Sequence, residues 1–136
     1  MPDLLIDTDV FVDHLRGARR LAVPRRKASF YSVITRCELL SGKGVEEDVV
    51  QKLLGPFGEL EVDRAMAERA GRLRRHLEIR TPDALIAAAA LEHRLTLITK
   101  NVRHFRMVPG LRVESPKGLR TLQGTARPPR TGSRAC

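Results

Sequence analysis

The stretch Thr81-Pro82-Asp83, running straight into Ala84-Leu85-Ile86-Ala87-Ala88-Ala89-Ala90-Leu91, constrains this chain more than any other. Thr81 suits a helix cap, Pro82 the first helical position, and Asp83 the free N–H groups of the first turn. The helix so opened, ending near His93, is apolar nearly all round and must therefore pack centrally. Glu92, His93 and Arg94 follow it, so the apolar stretch falls far short of the ~20 residues a membrane span needs. A chain of 136 residues is the size of one domain, and no internal repeat divides it.

The elements around that helix alternate in type. Leu4-Leu5-Ile6 reads as a buried strand that delivers Asp7, Thr8 and Asp9 at its C-terminal end. Val10, Phe11, Val12 and Leu15 continue with helical spacing, opened by Thr8 and Asp9 and stopped by Gly17. A basic connection holding Arg16, Arg19, Arg20, Arg25, Arg26 and Lys27 leads to a second strand over 28–33, rich in extended-chain formers. The switch into the next helix, which carries Arg36 to Leu40, falls between Ser32 and Thr35. A further helix over 45–54 has Glu46, Glu47 and Asp48 in its first turn, and Gly55, Pro56 and Gly58 close it. Leu60-Glu61-Val62 is a short strand candidate. Asp63 caps a helix over 64–77, with Ala65, Ala70, Leu73 and Leu77 inward and Arg69, Arg72, Arg74 and Arg75 outward. Beyond the Ala-rich helix, Leu95, Leu97 and Ile98 make another buried strand. Pro109-Gly110 turns the chain into a last edge strand over 111–113. Strands alternating with helices specify a three-layer α/β domain whose central sheet is mostly parallel, with four or five strands. The domain spans 1–118, and 119–136 reads as a basic, flexible C-terminal tail, disordered from Arg127 onward.

Charge narrows the partners. Twenty-five Lys and Arg against 16 Asp and Glu leave a net charge of +9, a surface that favours polyanions or an acidic protein. Cys37 and Cys136 are the only cysteines and form neither a disulfide framework nor a CxxC site, so both read as buried or inert thiols of a reducing compartment. The N-terminal residues lack a basic region followed by a long apolar one, so export is not expected and the protein reads as soluble and cytoplasmic.

In parallel sheets, ligands bind beyond the C-terminal strand ends. Here those ends deliver Asp7 and Asp9 from the first strand, and Thr99, Lys100 and Asn101 from the fourth. Asp7, Glu38, Asp83 and Asn101 all adjoin apolar runs at strand ends or helix starts. Converging half-buried carboxylates repel one another, and a divalent cation relieves that repulsion. An oxygen-only set suits Mg²⁺ or Mn²⁺, and no His/Cys cluster supports zinc. Such ions generate hydroxide or stabilise a phosphate under in-line attack. An acidic pocket in a basic surface thus points to a metal-dependent nuclease. Taken singly, each residue has a plainer reading. Asp7 or Asp9 alone serves as a helix cap, and Thr8 as a cap or as a hydroxyl holding a carboxylate. Thr35 and Glu38 share a helical face, yet Glu38 alone can pair with Arg36 or Lys43. Asp83 alone is ordinary first-turn charge. Arg103 and Arg106 are candidate phosphate contacts, or solvated charges. His104, before Phe105 in a basic loop, reads as a structural or substrate-contacting residue rather than a general base.

The same residues carry a resemblance. Asp7-Thr8-Asp9-Val10-Phe11-Val12-Asp13-His14-Leu15-Arg16-Gly17 resembles the opening motif of PIN-domain ribonucleases, particularly the VapC toxins of bacterial toxin–antitoxin pairs. The segments 32–42, 82–91 and 97–105, the last followed by Pro109-Gly110-Leu111, resemble the second, third and fourth motifs, in the correct order from about Leu4 to Val113. The resemblance implies a compact α/β/α domain with Asp7, Glu38 and Asp83 binding Mg²⁺ or Mn²⁺ and carrying catalysis. A fourth acid is common in that family near Asn101, where this chain has an amide that accepts through its carbonyl but brings no charge. That departure puts a tightly held second metal in doubt. Asp9 is placed to compensate in part, and Thr99 to orient water or a carboxylate. The resemblance further implies RNA, transfer or ribosomal, as substrate, a small VapB-like antitoxin that blocks the pocket, and a homodimer. The competing readings are a non-catalytic nucleic-acid-binding protein with a degenerate PIN-like pocket, and a receiver-like signalling domain, whose motif order fits poorly.

Overall fold

A computed structural model describes residues 3–117, Val23 and Arg25 excepted. The expected tail over 119–136, including Cys136, lies outside the described residues. Chain order runs β1 (Leu4–Ile6), α1 (Thr8–Leu15), β2 (Ser29–Ser32), α2 (Val33–Leu40), α3 (Glu47–Leu54), β3 (Gly58–Leu60), α4 (Arg64–His76), α5 (Thr81–His93), β4 (Thr96–Ile98), α6 (Val102–Phe105) and β5 (Arg112–Glu114). The five strands form one sheet in the order β3-β2-β1-β4-β5, every neighbouring pair parallel. The expected α/β architecture is therefore present, with all strand C-termini at one edge.

Side-chain alternation along these short strands separates two cores, as a period of two requires. Leu5 and Leu97 pack with Met66 and Ala70 of α4 and the alanines of α5. Leu4, Ile6 and Ile98 face the other way, onto Val10 and Phe11 of α1 and Val50 and Leu54 of α3. The sheet is thus covered on both faces, which is the three-layer arrangement. α5 is the most enclosed helix: Ala84 and Ile86 to Ala90 are all buried. Small side chains let α4 and the sheet approach it closely.

The starts of α1 and α2 fall within the sequence reading, and several later boundaries differ from it. Asp7 itself occupies the cap position of α1, accepting from the Thr8 N–H, while Thr8 and Asp9 lie inside the first turn. α2 begins at Val33 because the Ser32 side chain caps it. β3 lies two residues before the expected Leu60-Glu61-Val62. Gly58 pairs with Phe30, and a Cβ there would lie 2.5 Å from the Phe30 ring. The glycine that seemed only to end a helix therefore starts a strand under an aromatic ring. Thr81 is helical rather than a cap; Arg80 holds the cap position without a side-chain bond. Ala65 is exposed, and Met66 takes the inward place instead. Cys37 is free and exposed, so the buried form of the expected buried or inert thiol does not hold.

At the β2–β3 edge the phenol of Tyr31 donates to Glu59 at 2.7 Å and accepts from Arg36 at 2.7 Å. Arg36 also pairs with Glu59 at 2.6 Å, so α2 is anchored to the sheet edge by a closed triangle. Among the described residues, no helix is long and apolar enough to cross a membrane.

Close packing around α5 gives a direct test. Ala88→Leu adds volume at a fully buried position and should lower unfolding free energy by about 1–3 kcal/mol. Ala65→Leu on the exposed face of α4 should stay within about 0.5 kcal/mol of the parent in the same urea titrations.

Candidate active site

The acids converge because parallel register aligns the strand ends. Leu4, Leu5 and Ile6 pair with Thr96, Leu97 and Ile98, and the Asp7 N–H extends the ladder by donating to the Ile98 carbonyl at 2.9 Å. Asp7 and Thr99 therefore leave the sheet side by side. Both are buried, Asp7 at 5 % exposure and Thr99 at 0 %. The Thr99 hydroxyl lies 2.7 Å from Asp7 Oδ2 and 3.2 Å from Asp9 Oδ2, so its one proton is shared between two carboxylates. Its oxygen accepts in turn from the Asn101 N–H at 3.0 Å. Asp9 also accepts from the Lys100 N–H.

A second hydroxyl chain fixes Glu38. The Thr8 Oγ1–H donates to Glu38 Oε1 at 2.6 Å, and Thr35 Oγ1 stands 2.8 Å from the Thr8 oxygen. An ionised carboxylate only accepts, so Thr8 spends its proton on Glu38 and Thr35 donates to Thr8. The expected shared face of Thr35 and Glu38 is thereby turned toward the pocket, while Arg36 pairs with Glu59 instead. Asp83, in the first turn of α5, lies 3.6 Å from Arg80 Nε and 3.8 Å from His104 Nε2.

Burial and the neighbouring charge of Asp9 push the Asp7 carboxyl from 3.8 up to about 7, with Asp83 adding a smaller push in the same direction and the Thr99 and Thr8 donors opposing it. Burial also raises Asp9, against the Lys100 N–H and the Thr99 hydroxyl. The ammonium of Lys100 is engaged elsewhere, 2.9 Å from Asp13 Oδ1. An ionised Asp7 is thus a desolvated charge beside two like charges, with hydroxyl and backbone donors but no cation on it.

These residues fit a divalent cation by their chemistry: all donors are oxygens, and like charge surrounds the most buried one. They do not form a finished cage. Among the described residues, no three His, Cys, Asp or Glu side chains are grouped to hold a metal ion. Asp7 lies within electrostatic reach of Asp9 and Asp83, whereas Glu38 joins the pocket through Thr8. Mg²⁺ and Mn²⁺ sites commonly use one or two carboxylates, with waters and substrate phosphate completing the shell.

Arg103 and Arg106 are exposed around α6. A cavity of about 640 Å³ instead adjoins Asp83 and Asn101 and brings in Arg74, Arg80 and His104. Sequence reading missed Arg74 and Arg80, because Arg74 looks like one more outward charge on a basic helix. Its link to the 77–80 connection, Nε to the Ile79 carbonyl at 2.9 Å, is tertiary and leaves no sequence signal.

The family profile described as PIN domain matches residues 4–111. The chain belongs to the PIN-domain family. It is 38% identical over 120 residues to Ribonuclease VapC10 of Mycobacterium tuberculosis, covering 80% of this chain and 90% of that protein. Ribonuclease VapC19 of the same organism is also 38% identical, over 121 residues, covering 79% of this chain and 95% of the relative. A toxin–antitoxin complex from Klebsiella pneumoniae contains a chain that superposes with a TM-score of 0.69 at 32% identity, covering 84% of this chain and 98% of that one. The PIN fold is shared too with DNA-bound VapBC from Salmonella typhimurium, at a TM-score of 0.74 and 23% identity, covering 85% of this chain and 99% of that one.

The raised Asp7 carboxyl sets the sign of a pH effect in metal-free protein. A folded-state value of about 7 above an unfolded value near 3.8 means that folding takes up a proton in between. Its contribution is fully favourable below the unfolded value and is lost as pH rises through 7. Asp7→Asn should therefore raise the metal-free melting temperature, more at pH 8 than at pH 5. Thr99→Val removes the donor that favours ionisation, and a carboxyl-carbon NMR titration should show Asp7 titrating higher still.

Proposed function

We propose that this PIN-domain chain is a Mg²⁺- or Mn²⁺-dependent endoribonuclease toxin that hydrolyses RNA phosphodiester bonds and is held inactive by a cognate VapB-like antitoxin. The observation that carries this reading is the buried Asp7, with Asp9 and Asp83 beside it, at the C-terminal edge of a parallel sheet. Relatives named ribonucleases at 38% identity support the RNA substrate. Similarity to a chain of a toxin–antitoxin complex supports the partner. The same reading takes the protein as a homodimer acting in the cytoplasm on transfer or ribosomal RNA.

In this mechanism Asp7, Glu38 and Asp83 hold the ion or its waters. A bound ion would supply polarisation of the phosphate and favour hydroxide as nucleophile. Thr99 keeps Asp7 and Asp9 turned toward one point, and Thr8, itself held by Thr35, keeps Glu38 turned inward. Asn101 contributes a neutral carbonyl where an acid would add charge. Arg103 and Arg106 hold the flanking backbone, which the acids alone would repel. With one tyrosine, four phenylalanines and no tryptophan in the chain, selectivity rests on RNA shape and exposed base edges more than on stacking.

The test uses purified, partner-free protein with total cellular RNA, Mg²⁺ or Mn²⁺, an EDTA control, and an Asp7→Ala variant shown to be folded by circular dichroism. Discrete bands that require the ion and drop to the EDTA level in the variant are expected. RNA bound equally by both proteins but cut by neither would instead make the chain a nucleic-acid-binding protein with a degenerate pocket.

A further inference from the structure

The cavity that Asp83 and Asn101 help to line adjoins the acid pocket and differs from it in its other walls. Two arginines, Arg74 and Arg80, share its wall with His104, Leu77 and Ile79. Glu78 adds a carboxylate. The wall is built by the short connection between α4 and α5, which is folded tightly: the Leu77 N–H donates to the Leu73 carbonyl, and the Ile79 N–H to the Leu77 carbonyl. Ile79 is buried at 7 % exposure and fixes the connection to the core.

Each arginine is left able to bind something more. Arg74 uses Nε on the Ile79 carbonyl, and no other hydrogen bond of its guanidinium occurs among the described residues. Arg80 is 78 % exposed on its side chain and meets Asp83 only at 3.6 Å, a loose ion pair that exchanges readily for a better one. A planar guanidinium fork matches phosphate oxygens, and anchoring through Nε leaves the two terminal nitrogens for such a contact. The half-buried Leu77 suits a base face. The carboxylate suits the amino groups on a base edge. At about 640 Å³ the cavity is larger than a bare anion needs and is of small-ligand size.

From these features we infer that the Arg74–Arg80–His104 cavity is a nucleotide subsite: it takes one unstacked nucleotide of a single-stranded RNA next to the bond being cut, with that nucleotide's phosphate on Arg80 and Arg74. The inference rests on the endoribonuclease reading above and adds to it a second contact region, separate from Arg103 and Arg106. It also gives the loose Arg80–Asp83 pair a purpose. Substrate phosphate draws Arg80 away from Asp83 and leaves that carboxylate to the acid pocket.

The decisive comparison is Arg80→Ala against Arg72→Ala, which removes equal charge from the exposed face of α4 outside the cavity. With a short single-stranded RNA and Mn²⁺, Arg80→Ala should raise KM about tenfold with kcat within about twofold, whereas Arg72→Ala should follow the parent. A neutral methylphosphonate at one linkage flanking the cut should cause at least that loss in the parent protein and a smaller further loss in Arg80→Ala, where only the Arg74 contact remains. Fluorescence anisotropy of the same RNA in EDTA separates the two readings. If the parent binds but never cuts, and Arg80→Ala binds about tenfold more weakly than Arg72→Ala, the subsite stands and the nuclease reading falls. Equal behaviour of the two variants in both assays overturns the subsite even where the parent cuts RNA. A parent that neither cuts nor binds overturns both.

Discussion

Everything in the acid pocket depends on the in-register parallel pairing of β1 with β4. One residue of slip would put Asp7 and Thr99 at different heights and reverse which side chains enter each core. Held in register, the last ladder bond from the Asp7 N–H to the Ile98 carbonyl delivers a carboxylate and a hydroxyl to one point. The cores on the two faces make the slip costly, since Leu5 and Leu97 would have to exchange places with Leu4, Ile6 and Ile98. Site precision is therefore a by-product of core packing.

Around that point the chain uses hydroxyls where it has abundant cations to hand. Thr8, Thr35 and Thr99 orient the carboxylates without neutralising them. Lys100, adjacent in sequence to Thr99, pairs its ammonium with Asp13 on α1 and gives Asp9 its backbone N–H and a weaker charge interaction. Positive charge is kept to the surroundings, on Arg74, Arg80, Arg103 and Arg106. The resulting arrangement is a negative centre with basic side chains around it, the charge layout on which the proposed RNA and metal binding rests.

The layered architecture was legible because each strand is short, apolar and followed by a helical pattern, and because Ala84 to Leu91 has no polar face. Asp7, Glu38 and Asp83 were legible as acids next to buried runs. What could not be read was pairing across distance. Glu38 looks equally ready to meet Arg36 until Glu59 is seen to hold that arginine. Gly58 and Pro56 look like helix-closing punctuation until Phe30 is placed over the glycine. Arg74 and Arg80 belong to different elements, and only the tight turn between α4 and α5 makes them neighbours of one cavity.

The triangle of Tyr31, Glu59 and Arg36 has an optical consequence. Tyr31 is the chain's one tyrosine and there is no tryptophan, so its phenol supplies nearly all of the near-ultraviolet emission. That phenol is buried and bonded to a carboxylate at the β2–β3 edge, and it meets Phe11 edge-on at 6.1 Å. The protein thus carries a built-in reporter at a single address, silent to events on exposed side chains of the rim and responsive when the α1 face of the sheet loosens.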